Sequence, residues 1–191
     1  GVTFHDGSAL TASDAAFSII RAKTDPSDMV DLIKSIKSAK AIDDLTLEIK
    51  TEGPNPILLN QLVQIFIMSE SWAKANGCEV SYNWDAGETS KCAFAANGTG
   101  PFKITLREQD VRTVFERNAS WWGDQNQHNI DKIELLPIKN DATRIAALLS
   151  GEIDYTNVVP VQDLERISAS SDHKINQVAQ NRTIFFGMDQ G

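Results

Sequence analysis

The first fourteen residues, Gly-Val-Thr-Phe-His-Asp-Gly-Ser-Ala-Leu-Thr-Ala-Ser-Asp, constrain the fold more than any other stretch. They read as a short strand, a tight turn at Asp6-Gly7 and a capped helix start. Aspartate bonds nearby backbone and glycine accepts positive φ, which together make a turn. Thr11 is an N-cap with Asp14 in the capping-box position three residues on. The helix is expected from Ala12 to about Lys23, burying Ala16, Ile19, Ile20 and Phe17. Asp25-Pro26 ends it, because a residue before proline avoids helical backbone. A strand-turn-helix unit starting at residue 1 without an initiator methionine leads us to expect a piece of a longer protein.

The 191 residues fit one domain or two small ones. A hydrophobic share of 41% is enough for a core, and 23% charged residues is not a disordered composition. The net charge of -8 argues against nucleic acid, which is bound by a basic face that displaces counterions. No apolar run approaches the roughly 18 residues of a membrane span.

Further along, Asp28 to Ile36 is amphipathic and could be a second helix. Lys37–Ile42 and Leu45–Lys50 form a hairpin about Asp43-Asp44, with Leu45, Leu47 and Ile49 on the buried face. Asn55 caps a helix that starts at Pro56 and carries Ile57, Leu58, Leu59 and Leu62. Ser69 caps a short helix through Trp72, closed by Gly77. Residues 78–99 show no periodicity, which is long for a compact domain unless the segment is functional or pinned. Cys78 and Cys92 lie in it with thirteen residues between them. They are either a disulfide, which the loop context favours and which implies an oxidising compartment, or two thiols. A bridge here would contribute roughly 3 kcal/mol.

A second hairpin follows, Phe102–Glu108 and Val111–Asn118 about Gln109-Asp110. The last third alternates. Strands are expected at Lys132–Ile138, Ile153–Thr156, His173–Ala179 and Arg182–Met188. Helices are expected at Asp141–Ser150, between Asn140 and Gly151, and at Val161–Ala169. Strands alternating with helices imply βαβ units and partly parallel pairing, hence an α/β fold with antiparallel hairpins added.

Little here looks catalytic. The chain has three histidines. His5-Asp6 could belong to a metal-assisted hydrolase, yet the turn explains it better; His128 and His173 read as solvated surface. There is no GxSxG, HExxH or P-loop, and nothing calls for a metal or a cofactor. Gly98-Thr99-Gly100 lacks the third glycine of a dinucleotide site and reads as a close backbone approach. Glu152 and Asp154 share a face on an expected strand start, with a structural role. Of Trp121-Trp122, one ring should enter the core and the other cover a surface groove. Asn97, Asn118 and Asn181 sit in Asn-X-Thr/Ser triplets that read as chance matches to the glycosylation pattern.

Four motifs nevertheless fall into one order. Phe4-His5-Asp6-Gly7 with Leu10-Thr11-Ala12 and Asp14 comes first. Gly98-Thr99-Gly100-Pro101-Phe102 is second, and Asn118 with Trp121-Trp122-Gly123 is third. Ile130-Asp131-Lys132-Ile133, Ala142 to Leu149 and Gly151-Glu152-Ile153-Asp154 make the fourth. Together they resemble the bacterial extracellular solute-binding proteins of the peptide/nickel class, family 5. The resemblance implies the first lobe of a periplasmic-binding-protein type II clamshell with part of its extra subdomain. Residues 1–97, including the loop 78–97, would belong to the subdomain. Residues 98–191 would be the middle of the lobe, ending at a hinge strand near Phe185–Gly191, with the second lobe absent.

The family implies a non-enzymatic receptor for an oligopeptide or dipeptide. It would work with the permease and ATPase of an ABC importer, touch the membrane only through the permease, and reside in the periplasm or anchored outside a Gram-positive cell. A solute sensor is the other receptor role. Open α/β sheets bind ligands on loops at strand ends, which makes Asn97, Thr99, Asn157, Val158, Val159 and Pro160 the candidate solute contacts. Strands cut off from their partners would leave open edges, which a second copy could pair.

Overall fold

The computed structural model describes residues 1–83, 85–125 and 129–179. His128, the expected strand Arg182–Met188, the Asn181 triplet and the hinge segment near Phe185–Gly191 lie outside the described residues. The chain divides into two compact units, Gly1–Leu136 and Pro137–Gly191, so the expected boundary at 97/98 falls inside the first.

The first unit opens as its sequence dictates. Thr3 bridges Ala9, Phe4 N–H donates to the Ser8 carbonyl at 2.8 Å, and Gly7 takes φ +89°. Helix α1 spans Ala12–Lys23. Asp14 Oδ2 accepts the Thr11 N–H at 2.9 Å, the returning half of the capping box. The buried face differs from expectation. Ile20 is 42% exposed, whereas Asp14 and Ser18 are buried. Tertiary hydrogen bonds decide this: Asp14 Oδ1 accepts the Glu70 N–H at 2.8 Å, and Ser18 Oγ accepts the Met68 N–H at 2.8 Å. A polar stripe one turn long thus faces inward because backbone donors meet it there.

Residues 28–35 are not a helix. Turns closed three residues back (Val30 to Ser27, Leu32 to Met29, Ile36 to Ile33) run straight into strand β1, Ile36–Ala41. The extended strand claims the residues that would complete a helical turn, and both Ile33 and Ile36 are fully buried. β1 pairs antiparallel with β2, Leu47–Thr51. The connection is a five-residue loop rather than the expected two-residue turn. Asp43 Oδ1 accepts the Leu45 N–H at 2.8 Å and the Asp44 carbonyl accepts the Ala12 N–H at 2.8 Å. With those groups engaged elsewhere, Leu45 sits at the tip, 88% exposed, and only Leu47 and Ile49 reach the core.

Helix α2, Leu58–Leu62, starts later than predicted, because Asn55 Oδ1 takes the Ile57 N–H in a local turn. Leu58 and Leu62 pack on the cluster of Ile19, Ala22, Ile33, Ile36 and Ala39, while Ile57 and Leu59 stay exposed. Helix α3, Glu70–Ala75, is capped by Ser69, whose side chain accepts the Trp72 N–H, and Gly77 follows at φ +66°. The loop beyond it is pinned by a disulfide between Cys78 and Cys92, with Cα atoms 6.1 Å apart. Arg21 Nε donates to the Cys78 carbonyl at 2.9 Å, tying the same point to α1.

A three-stranded antiparallel sheet completes the unit, in the order β3 (Phe102–Glu108), β4 (Arg112–Arg117), β5 (Lys132–Leu135). Asp110 takes φ +59° at the β3–β4 turn, an αL position that aspartate tolerates.

In the second unit α4, Asp141–Ser150, runs from the Asn140 cap to Gly151 at φ +78°, as the sequence predicts. A 3-10 turn, Val161–Asp163, feeds α5, Leu164–Ser168. Ile145, Leu148 and Ile167 form the core, joined by Ile153, Val159 and Ile175. The strands expected at 153–156 and 173–179 have no ladder among the described residues, and the ladders the described residues do form, between residues 36 and 135, are antiparallel rather than parallel. Ile153 and Ile175 dock on the helices instead of pairing, while Tyr155 and Val178 stay exposed. Glu152 and Asp154 are accordingly exposed loop residues. His173 is not solvated surface: Nδ1 bonds Ser170 Oγ at 2.8 Å and Nε2 bonds the Leu148 carbonyl at 3.0 Å.

Closing the loop at Cys78–Cys92 restricts the unfolded chain, so its removal has a defined cost. Replacing both cysteines by serine should lower the unfolding free energy by about 3 kcal/mol. Urea titrations of the two forms, with and without reductant, measure it; reductant should leave the serine form unchanged.

Candidate functional site

The first two motifs, more than ninety residues apart, close on each other as a clasp. His5 N–H donates to the Gly98 carbonyl at 2.8 Å. Gly98 N–H donates back to His5 Nδ1 at 3.3 Å, and His5 Nε2 donates to the Gly100 carbonyl at 3.1 Å. A carbonyl only accepts, so the proton sits on Nε2 and the Nδ1 lone pair is free to accept. Asp6 and Asn97 bond reciprocally: Asp6 N–H donates to Asn97 Oδ1 at 3.1 Å, and Asn97 Nδ2 donates to Asp6 Oδ2 at 2.8 Å. Lys103 Nζ, one residue into β3, donates to the His5 carbonyl at 2.8 Å. A Cβ on Gly98 would lie 3.3 Å from His5 Cε1, a tight contact that glycine avoids.

The third motif secures the other side. Asn118 is buried; its N–H donates to the Pro101 carbonyl at 2.7 Å and its Nδ2 to the Gly100 carbonyl at 3.3 Å. Trp122 Nε1 donates to the Thr99 carbonyl at 2.9 Å, leaving its ring 55% exposed. Trp121 lies half-buried over Gly123, where a Cβ would come within 2.5 Å of the ring. Trp121 is thus half-buried rather than in a core cluster, and Trp122 is exposed with its indole N–H bonded to the Thr99 carbonyl. The side chains of Asn97 and Asn118 are engaged, as structural groups are.

The predicted solute contacts fall into two sets. Asn97 and Thr99 are half-buried on this clasp. In the second unit, Asn157 is exposed, the Val158 carbonyl accepts from Arg144 Nη2 at 3.4 Å, and half-buried Val159 packs against the edge of the core. Pro160 caps the 3-10 turn. A groove of about 610 Å3 opens elsewhere, among Phe17, Ile20, Arg21, Lys40, Glu70 and Val80, and none of the predicted contacts lines it.

Sequence reasoning missed Lys103, the indole bond of Trp122 and the Asp6–Asn97 pair. Each joins residues distant in sequence, so local pattern carries no trace of them. Both ring nitrogens of His5 are engaged by backbone, which removes it as a metal ligand or base for the hydrolase alternative. Among the described residues no three metal-ligating side chains cluster, and no helix is long and apolar enough to cross a membrane.

The hydroxyl of Ser8, with its N–H and the Asn97 amide, holds the Asp6 carboxyl below the usual carboxylate range. A depressed folded value stabilises above the unfolded pKa, near 4, and that stabilisation fades as pH falls through the folded one. Acid titration followed by the amide resonances of Ser8 and Gly98 should therefore show the clasp loosening below about pH 4. Asp6→Asn should abolish that step.

A family model described as bacterial extracellular solute-binding proteins, family 5 middle, matches residues 1–191. The glutathione-binding protein GsiB of Pectobacterium atrosepticum is 27% identical over 85% of this chain and 30% of its own length. The oligopeptide-binding protein OppA of Bacillus subtilis is 24% identical over 74% of this chain and 25% of its own. Among solved structures, NikZ from Campylobacter jejuni in complex with Ni(L-His) superposes with a TM-score of 0.76 at 22% identity, over 89% of this chain and 32% of that one. DppA from Helicobacter pylori in complex with peptide STSA gives 0.71 at 25% identity, over 90% and 36%. The chain spans about a third of the length of these relatives. Its α/β fold is that of part of a lobe of a type II periplasmic binding protein. The chain belongs to the bacterial extracellular solute-binding proteins, family 5.

Proposed function

We propose that this chain is part of the solute receptor of an ABC importer, and that the solute is an oligopeptide or dipeptide. One observation carries the reading: the family-5 match runs through all 191 residues, and its first three motifs meet in a single hydrogen-bonded clasp. Relatives named for peptide and glutathione binding support the solute class. The receptor is non-enzymatic, acts in the periplasm or outside the cell, and hands its solute to a permease and ATPase.

In this reading residues 1–97 contribute to the extra subdomain and residues 98–191 to the first lobe. On the clasp, Asn97 and Thr99 are the proposed solute contacts; in the second unit, taken by itself, they are Asn157, Val158, Val159 and Pro160. The Asn97 amide is already engaged with Asp6, so a solute reaches it through competition with that carboxylate. Affinity comes from two lobes closing on the solute, because tight sites enclose about 70–90% of a ligand's surface.

The test is calorimetry of the intact protein against a panel of short peptides, glutathione and Ni(L-His). Micromolar binding of at least one peptide is the expected result. Residues 1–191 alone should bind that peptide at least a hundredfold more weakly. Asn157→Ala in the intact protein should cost about tenfold, the order of one hydrogen bond lost in a closed site. An unchanged affinity would remove Asn157 from the contact set.

A further inference from the structure

We propose that His5 is a positioning residue for solute binding: its imidazole fixes the shape of the 97–101 ledge without touching the solute. The inference rests on the reading that Thr99 faces the solute.

The ring spans the ledge as a staple. Nδ1 holds the Gly98 N–H and Nε2 holds the Gly100 carbonyl, so both neighbours of Thr99 are set by one rigid side chain. Trp122 takes the Thr99 carbonyl from another direction. Three consecutive residues thus have a backbone group fixed by side chains distant in sequence, with Lys103 holding the backbone of His5 itself. A flexible side chain would lose rotamer entropy to do the same, whereas an imidazole presents both nitrogens in one plane.

The geometry also sets what can substitute. Asparagine places an acceptor near Nδ1 and can keep the Gly98 bond. Glutamine reaches as far as Nε2 and can keep the Gly100 bond. Phenylalanine keeps the volume and loses both.

The experiment uses the intact protein and the tightest-binding peptide of the panel above. Ring 15N shifts should report the Nε2–H tautomer in the wild type. His5→Phe should speed amide exchange at Gly98 and weaken peptide binding about thirtyfold, the order of two neutral hydrogen bonds. His5→Asn and His5→Gln should fall between, a graded rescue that general destabilisation would not give. An Nδ1–H tautomer, or wild-type affinity in His5→Phe while Thr99→Ala weakens binding, overturns the positioning role and leaves the receptor reading standing. Wild-type affinity in both His5→Phe and Thr99→Ala overturns the ledge as a solute contact, and the inference with it. Absence of binding to any peptide overturns the peptide reading itself.

Discussion

The hydrogen bonds between the Phe4–Ser8 turn and residues 97–103 govern the first unit. Both segments are irregular, and irregular backbone has donors and acceptors that no ladder satisfies. Each supplies what the other lacks: the turn offers the His5 N–H and Asp6 N–H, and the ledge offers the Gly98 N–H and the carbonyls of Gly98 and Gly100. Everything between, from α1 to the Cys78–Cys92 loop, is enclosed by this closure. The disulfide shortens the free path back to the ledge, which limits the entropy lost in bringing distant segments together. The position of β3 follows directly, since Lys103 and Pro101 are bonded to the turn and to Asn118.

A second polar tie explains why helix α1 sits as it does. Asp14 serves two helices at once, closing the capping box of α1 and receiving the first N–H of α3. Ser18, one turn on, receives the Met68 N–H. These bonds rotate α1 so that Ile20 is turned outward, against the apolar pattern of the sequence. Hydrophobic periodicity assigns the helix correctly and misassigns its face, because a buried donor without a partner costs about as much as a misplaced side chain.

The same division runs through the whole chain. What depends on neighbours in sequence was legible: the caps at Thr11, Ser69 and Asn140, the αL positions at Gly7, Gly77 and Gly151, and the β3–β4 hairpin. What depends on distant partners was not. The hairpin loop at 42–46 opens because Ala12 draws off the Asp44 carbonyl, and the His173 ring turns to the carbonyl of Leu148, 25 residues back. The segments at 153–156 and 173–179 have strand-like composition, but composition cannot say whether a neighbour will pair with them. The candidate site follows this pattern too. Its motifs could be read in order from the sequence, while the contacts that join them could not.

The residues that most resemble catalytic groups are the ones most fully committed to holding backbone. For the proposed receptor role that is an advantage. Ordering a loop on binding costs free energy that is subtracted from affinity. A ledge whose backbone groups are already bonded to His5, Asn118 and Trp122 is ordered before the solute arrives. In the proposed role, closure on a solute would then have only the solute and the approaching lobe to organise. His5 and Asp6 are thus accounted for by the backbone and side-chain groups they hold in place.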